Sequence, residues 1–462
     1  MKLVKTNKIL TVLVLLILVF TLSGISTALE LTLEEAIKQG LKKNSDLRNL
    51  EENIAGLERD LALIKAGQDW QVKMGADYGY TFEDSNNRIE ENRVNLGISR
   101  VFSSGLTIEP EITVTENDSN PDLSIALRYP LLPSVPTESA KQYYKIEQEL
   151  IKAQGKLSQE KAAKIISWLE KYLNLSRLTE KHEVYQQGLE LAEDNLNEVL
   201  LKQEMGEAGR EEVLTAQISL ADARYQLDDL EKQIEEVKLS LYQELGLEKE
   251  QELVIDDQSK LIAQLSEKAE QLTGQELDES KLMPAVEQNS YELLANRIDR
   301  EVLKQELEWL KGEGKTELNL SGNYNSKEEE ISIGLSLSYN LYDGGQRELK
   351  YEEKEVEIAN NLAEYNDLYA ALELQLKQQI NKVELSQSKL QQEELKLEKS
   401  VYEEKVGRQQ YEMGLIDKND YEELCLQRKE SEINFKSFQD QLLINKIELI
   451  TFIKSDDILG GF

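Results

Sequence analysis

The chain has 462 residues, with 88 acidic against 54 basic side chains, a net charge of −34 at neutral pH, and a single histidine and a single cysteine. That balance argues against a nucleic-acid partner, because phosphate contacts draw on clustered Lys and Arg, and it reads as a large solvated helix surface. Lone Cys425 and His182 exclude an internal disulfide and the usual His/Cys zinc clusters, and without a glycine-rich phosphate loop or a nucleophile elbow nothing suggests an enzyme, a metal or a cofactor.

Residues 1–28 read as a secretory signal peptide. Lys2, Lys5 and Lys8 make a basic start, Leu10 to Leu22 is almost wholly apolar, and Ser26-Thr27-Ala28 offers small residues for cleavage after Ala28. The alternative is an uncleaved anchor, since the apolar core is near the lower spanning limit of about 17 residues. Loss of the three leader lysines makes the remaining charge −37. No other stretch is apolar enough for a transmembrane helix, so any second entry into a membrane must use closed β-structure.

The rest of the chain is duplicated. NSDLRNLEENIAGLERDLALIKAG from Asn44 answers NSYELLANRIDREVLKQELEWLKG from Asn289, and QEMGEAGREEVL from Gln203 answers QYEMGLIDKNDYEEL from Gln410, which sets Met205-Gly206 opposite Met413-Gly414. The expected organisation is a first repeat at 29–247, an acidic connecting segment at 248–280, a second repeat at 281–455 and a tail at 456–462. Each repeat reads as helix, strands, very long helix, sharp turn, shorter helix.

In chain order, the helix from Asn44 to Gln68 leads into alternating segments. Val72, Met74, Ala76, Tyr78, Tyr80 and Phe82 are apolar between polar or small residues, and Leu106–Val114 and Leu123–Tyr129 repeat the pattern. Val94, Leu96 and Ile98 make a weaker segment. In the second repeat Ile331, Ile333, Leu335, Leu337, Tyr339 and Leu341 alternate with small polar residues, preceded by Leu318 and Leu320. Runs of 9–11 alternating residues suit bilayer-spanning strands with a wet lumen. Strands are expected at about 71–130 and 316–342, six per chain at most. That is too few for the smallest eight-stranded barrel, so several chains must share one.

The helices carry a heptad seam. Val213, Ala216, Leu220, Ala223, Leu227, Leu230, Ile234, Val237 and Leu241 step by three and four, and Leu362, Tyr369, Leu376, Val383, Leu390 and Leu397 recur at sevens. The stretches Pro136–Gly206 and Gly345–Gly414 each run about 105 Å as helix, and the shorter helices about 56 and 37 Å, so two short helices end to end match one long one. The fold class is therefore mostly α with β: long antiparallel coiled-coil helices forming a tunnel, plus a transmembrane β-barrel shared between protomers, internally duplicated.

These features together resemble the TolC family of outer-membrane efflux proteins over about Leu31 to Lys454. The resemblance rests on LTLEEAIKQGLKKNSDL, on LSLSYNLYDGGQ ending at Gly344-Gly345, and on the turns at Gly206 and Gly414. It implies a homotrimer in the outer membrane with helices in the periplasm, whose tips meet a periplasmic adaptor linked to an inner-membrane pump. By that match Met205, Gly206, Met413, Gly414 and Leu415 are the adaptor-contacting tips, although each glycine can equally serve only to turn the chain. The family pattern also places a periplasmic gate: Asp420 and Glu423 as an inward acidic pair, ringed by three chains, and Glu212 with Tyr411 as a gate-holding hydrogen bond. A solvated face is the competing reading of the acids. Ile416 stands where a gating Arg can occur. Four strands per chain would give the family's twelve-stranded barrel; six would give eighteen, or else an outer extension. The function implied is a passive efflux or export duct, including secreted polypeptide as cargo; the alternative is a surface adhesive trimer with a membrane anchor.

Overall fold

The computed structural model describes residues 29–84, 87–116, 118–248, 251–255, 260–273, 277–314 and 316–454. The expected signal peptide, the tail and parts of the connecting segment lie outside the described residues. After a short β1 (Leu29–Leu31), helix α1 (Leu33–Lys43) opens on a capping box, in which Thr32 Oγ1 accepts from Glu35 N–H at 3.3 Å and Thr32 N–H donates to the Glu35 carboxylate at 2.9 Å. Helix α2 (Ser45–Gly67) leads into strands β2 (Gln71–Asp84), β3 (Asn87–Val101), β4 (Thr107–Thr115) and β5 (Asp118–Leu132). Then come α3 (Glu138–Glu204) and α4 (Arg210–Leu245). The connecting segment holds β6 (Gln251–Leu253), which pairs in parallel with β1, and α5 (Lys260–Thr273). The second half repeats the plan with α6 (Glu279–Asn289), α7 (Tyr291–Gly312), β7 (Thr316–Asn325), β8 (Glu330–Tyr339), α8 (Gln346–Glu412) and α9 (Lys418–Ile453).

Both long helices have 67 residues and both returning helices 36. The short helices stack end to end on each long one. Lys43 Nζ and Asn44 Nδ2 donate to the α4 C-terminal carbonyls of Gly246 and Glu244, at 3.2 and 3.4 Å. In the second half Asn289 Nδ2 donates to Ile453 O, where α9 ends and α7 begins, at 3.0 Å. One detail differs from the sequence alignment: the N-cap of α2 is Asn44 but that of α7 is Ser290, so the halves superpose one residue out of the NS/NS match. The apolar residue three beyond each cap decides this, because Leu47 and Leu293 are both fully buried.

Side by side the helices form one layer four wide. The order is α2, α3, α7, α8 in the half nearer the sheet and α4, α3, α9, α8 in the half nearer the turns. The core lies where these halves meet. Trp168, Leu169 and Tyr172 of α3 pack with Ile37, Leu47, Leu241, Leu245 and Ile447, and a second cluster joins Val286, Leu293, Leu376, Val383 and Leu449. Away from that belt each helix buries a narrow stripe, as Val213, Ala216 and Leu230 do. The α8 seam departs from strict sevens at its upper end. Leu362 is exposed there, while Asn361 is buried and exchanges hydrogen bonds with Asn296 of α7, because α7 has replaced α9 as the neighbour.

The six long strands form a single antiparallel sheet in the order β2-β3-β4-β5-β7-β8. Its register keeps apolar residues on one face: Met74 pairs with Leu96, Leu96 with Ile112, Ile112 with Leu123, and Leu320 with Leu335. Met74, Val94, Leu127, Ile333 and Leu337 are exposed there, an apolar face that none of the described residues covers. The other face carries Lys73, Asn95, Glu111, Ser124, Asn323 and Ser336.

Candidate functional site

The two turns farthest from the sheet are built alike. Long helices α3 and α8 close on Met205 and Met413, followed by glycines at φ +79° and +69°. Gly206 N–H donates to Gln203 O at 3.0 Å and Glu207 N–H to Lys202 O at 2.8 Å; Gly414 N–H donates to Tyr411 O at 2.9 Å and Leu415 N–H to Gln410 O at 2.8 Å. This pair of crossed bonds satisfies the last helical carbonyls and needs a left-handed residue, which is why glycine stands there. Around these turns Met205, Met413 and Leu415 are about two-thirds exposed. Each tip thus presents a bare apolar side chain beside a glycine where an added Cβ would meet nothing but its chain neighbours within 4 Å.

The candidate gate residues fall at the start of the returning helices. Asp417 caps α9 by accepting from Asp420 N–H at 2.8 Å. Asp420 and Glu423 are exposed on the same face, away from α3 and α8, and Glu423 accepts from Gln427 Nε2 at 3.4 Å. Neither carboxylate has a cation partner among the described residues. Glu212 is the equivalent of Asp420 in the first repeat; its carboxylate accepts from Gly209 N–H at 3.5 Å and so closes the α4 terminus. Tyr411 stacks on Tyr421 with ring centroids 5.5 Å apart and planes at 8°. Within one chain the structure therefore brings Asp420 and Glu423 together, but leaves Glu212 and Tyr411 each engaged elsewhere.

Sequence reasoning did not single out Tyr421 or Asn419. The Cys425 thiol hydrogen-bonded to Tyr421, with burial second, pushes the Tyr421 hydroxyl above its ordinary range. Asn419 Nδ2 donates to Glu198 Oε2 at 3.0 Å and fastens the α9 start to α3. The ten-residue step from Tyr411 to Tyr421 across a tight turn was the available signal. Nearby, the Glu198 hydrogen bond holds the Lys202 ammonium above its usual value, and the Glu422 hydrogen bond does the same for Lys418. Farther up, α3 and α9 are clasped by Arg177 Nε donating to Asp440 at 2.6 Å and Lys436 to Glu180 at 3.0 Å. No group of three or more metal-ligating side chains occurs among the described residues, nor any helix long and apolar enough to cross a membrane.

No family model matches the chain, and no curated protein matches it. Solved structures do. The CmeC outer membrane channel of Campylobacter jejuni superposes with a TM-score of 0.64 at 11% identity, over 93% of this chain and 88% of that one. The outer membrane protein VceC of Vibrio cholerae gives 0.62 at 13% identity, over 91% and 95%. CusC gives 0.65 at 9% identity, over 91% and 92%. The chain has the TolC-type outer-membrane channel fold. Within this channel fold the strands sit between helices in both repeats, so the sheet lies at one end of the layer and the Gly206 and Gly414 turns at the other.

Proposed function

We propose that three copies of this chain assemble into an outer-membrane channel-tunnel for efflux or export, with no catalysis of its own. The observation that carries the reading is the apolar face that crosses all six strands and is exposed at Met74, Val94, Leu127, Ile333 and Leu337 in the single chain. A patch of that size on a folded protein marks a membrane or partner surface, and its polar reverse face suits a water-filled lumen. Association of copies is supported by the helical layer, whose free edges are apolar. Leu214, Ile218 and Tyr225 are exposed on α4, and Leu374, Leu385, Leu395 and Tyr402 on α8. A coiled-coil stripe left bare on both edges calls for further helices. The number three, an adaptor at the tips and an inner-membrane pump behind it come from likeness to the channels.

The turns would then face the periplasmic adaptor through Met205, Gly206, Met413, Gly414 and Leu415. Asp420 and Glu423 would form an inward ring of six carboxylates, which favours cations by concentrating negative charge at a narrow entrance. Glu212 and Tyr411 would join the gate across neighbouring elements, since neither the Gly209 bond nor the Tyr421 stack uses up the carboxylate or the hydroxyl. The test is reconstitution of the purified trimer in planar bilayers. Cation-selective conductance, weakened in selectivity by Asp420→Asn with Glu423→Gln, is the expected result; a non-conducting trimer would sink the channel reading. Loss of crosslinking to an adaptor in Gly414→Trp, with the trimer intact, would support the role of the tips.

A further inference from the structure

The sheet has six strands, and its slant and edges decide how it would close. The paired row Lys73, Gly97, Glu111, Ser124, Asn325 and Glu330 crosses all six strands. It lies two residues above the helix-side start of β2 at Gln71 but nine above the helix-side end of β8 at Tyr339. That stagger of seven residues is about 23 Å along the strands over five gaps totalling about 24 Å, a slope of about 45°. Barrels close at tilts of about 35–45°, so the sheet already has the slant of a barrel wall through all six strands. The hairpin of β2 and β3 shares both the slant and the apolar face, as the Met74–Leu96–Ile112 row shows. It is therefore wall rather than appendage.

Six strands about 4.8 Å apart at that slope span about 40 Å of circumference, which a layer of four helices side by side at 8–10 Å, about 32–40 Å wide, can carry. The two edge strands, β2 and β8, are also long, regular and free of proline, a form that pairs with another strand unless it is blocked.

We propose that β8 of one copy pairs antiparallel with β2 of the next, closing an eighteen-stranded barrel. This rests on the channel reading and specifies its wall. The register follows from two requirements: apolar positions must stay on the lipid side, and the slope must continue across the seam. Both are met when Tyr339 faces Val72 of the next copy, Ser338 faces Lys73 and Leu337 faces Met74. The closed ring would measure about 35–40 Å between backbones, in the class of strand number that leaves an aqueous channel, against about 26 Å for twelve strands.

The test uses the full chain with Cys425→Ser as background. Lys73→Cys combined with Ser338→Cys should give a covalent trimer on oxidation, seen on a non-reducing gel and collapsing to monomer on reduction. Each single substitution should not. If β2 and β3 lay outside the wall, β8 would meet β4 instead, and Ser338→Cys with Glu109→Cys would crosslink while the first pair did not; that result overturns the proposal. Conductance measured on the same preparations separates the two readings. A conducting trimer without the Lys73–Ser338 bond refutes the seam and leaves the channel standing. A seam bond in a non-conducting trimer keeps the barrel wall and refutes the duct. Should the paired cysteines prevent folding, a strand count by cryo-electron microscopy of the unaltered trimer decides, eighteen supporting the seam and twelve refuting it.

Discussion

Replacing Gly414 by alanine isolates what the tip glycine does for the backbone. At φ +69° an L-residue presses its Cβ on the following carbonyl oxygen, at a cost of about 1–2 kcal/mol. Beyond its chain neighbours no heavy atom lies within 4 Å of where that Cβ would stand, so tertiary packing adds nothing to the cost. The strain falls on the crossed bonds of the turn, Gly414 N–H to Tyr411 O and Leu415 N–H to Gln410 O. Local opening of the turn becomes easier by the same amount, and since about 1.4 kcal/mol is tenfold, hydrogen exchange at the Leu415 amide should quicken about 5- to 30-fold. Gly414→Asn should quicken it less, because Asn visits the left-handed region more readily. Gly206→Ala, at φ +79° with equally open space, should behave as Gly414→Ala does. The melting temperature should hardly move, since the turn lies far from the buried belt. Unchanged exchange at Leu415, or equal effects of Ala and Asn, would refute the conformational account and leave surface contact as the reason for glycine.

Gly407 should answer differently, because an added Cβ would fall 2.2 Å from Leu424 Cδ1. That atom ends a flexible side chain, so Gly407→Ala should be near neutral, with a helix-propensity gain of about 1 kcal/mol offsetting the shift, whereas Gly407→Leu should cost about 1–3 kcal/mol in thermal melting by forcing α8 from α9. Leu376→Ala, at a fully buried site, should cost about 2–5 kcal/mol per chain in the same assay. Arg177→Leu leaves Asp440 and Glu180 without that guanidinium between α3 and α9 and should cost about 3–5 kcal/mol, most of it recovered when Asp440→Leu is added. Burial opposes the charged form of Glu306, but hydrogen bonds from Lys145 and Lys354 outweigh it and hold its carboxyl below the ordinary 4.5. Its contribution is therefore present above pH 4.5 and lost as pH falls through the lowered value; acid titration of stability should show a smaller loss in Glu306→Gln. With a net charge of −34, association of copies should tighten between 0.01 and 0.15 M salt, as screening shortens from about 30 to about 8 Å, measured by light scattering.

By itself the sequence determined the elements and their faces. A period of seven fixes a buried stripe and a period of two fixes a sheet face, because each is a property of local backbone geometry. The matching Met-Gly pairs announced the turns, since crossed terminal bonds need a residue at positive φ. Three things lay beyond it. The one-residue offset between Asn44 and Ser290 depends on which leucine the core buries, and the shift from Leu362 to Asn361 depends on which helix lies alongside. The engagement of Glu212 with Gly209 and of Tyr411 with Tyr421 reflects competition among neighbours that spacing does not rank. Above all, the membership of β2 and β3 in the same sheet as β8 is a matter of long-range pairing. Alternation told which face of each strand is apolar, but not whether four strands or six stand in one sheet; only the register across the whole sheet decided that.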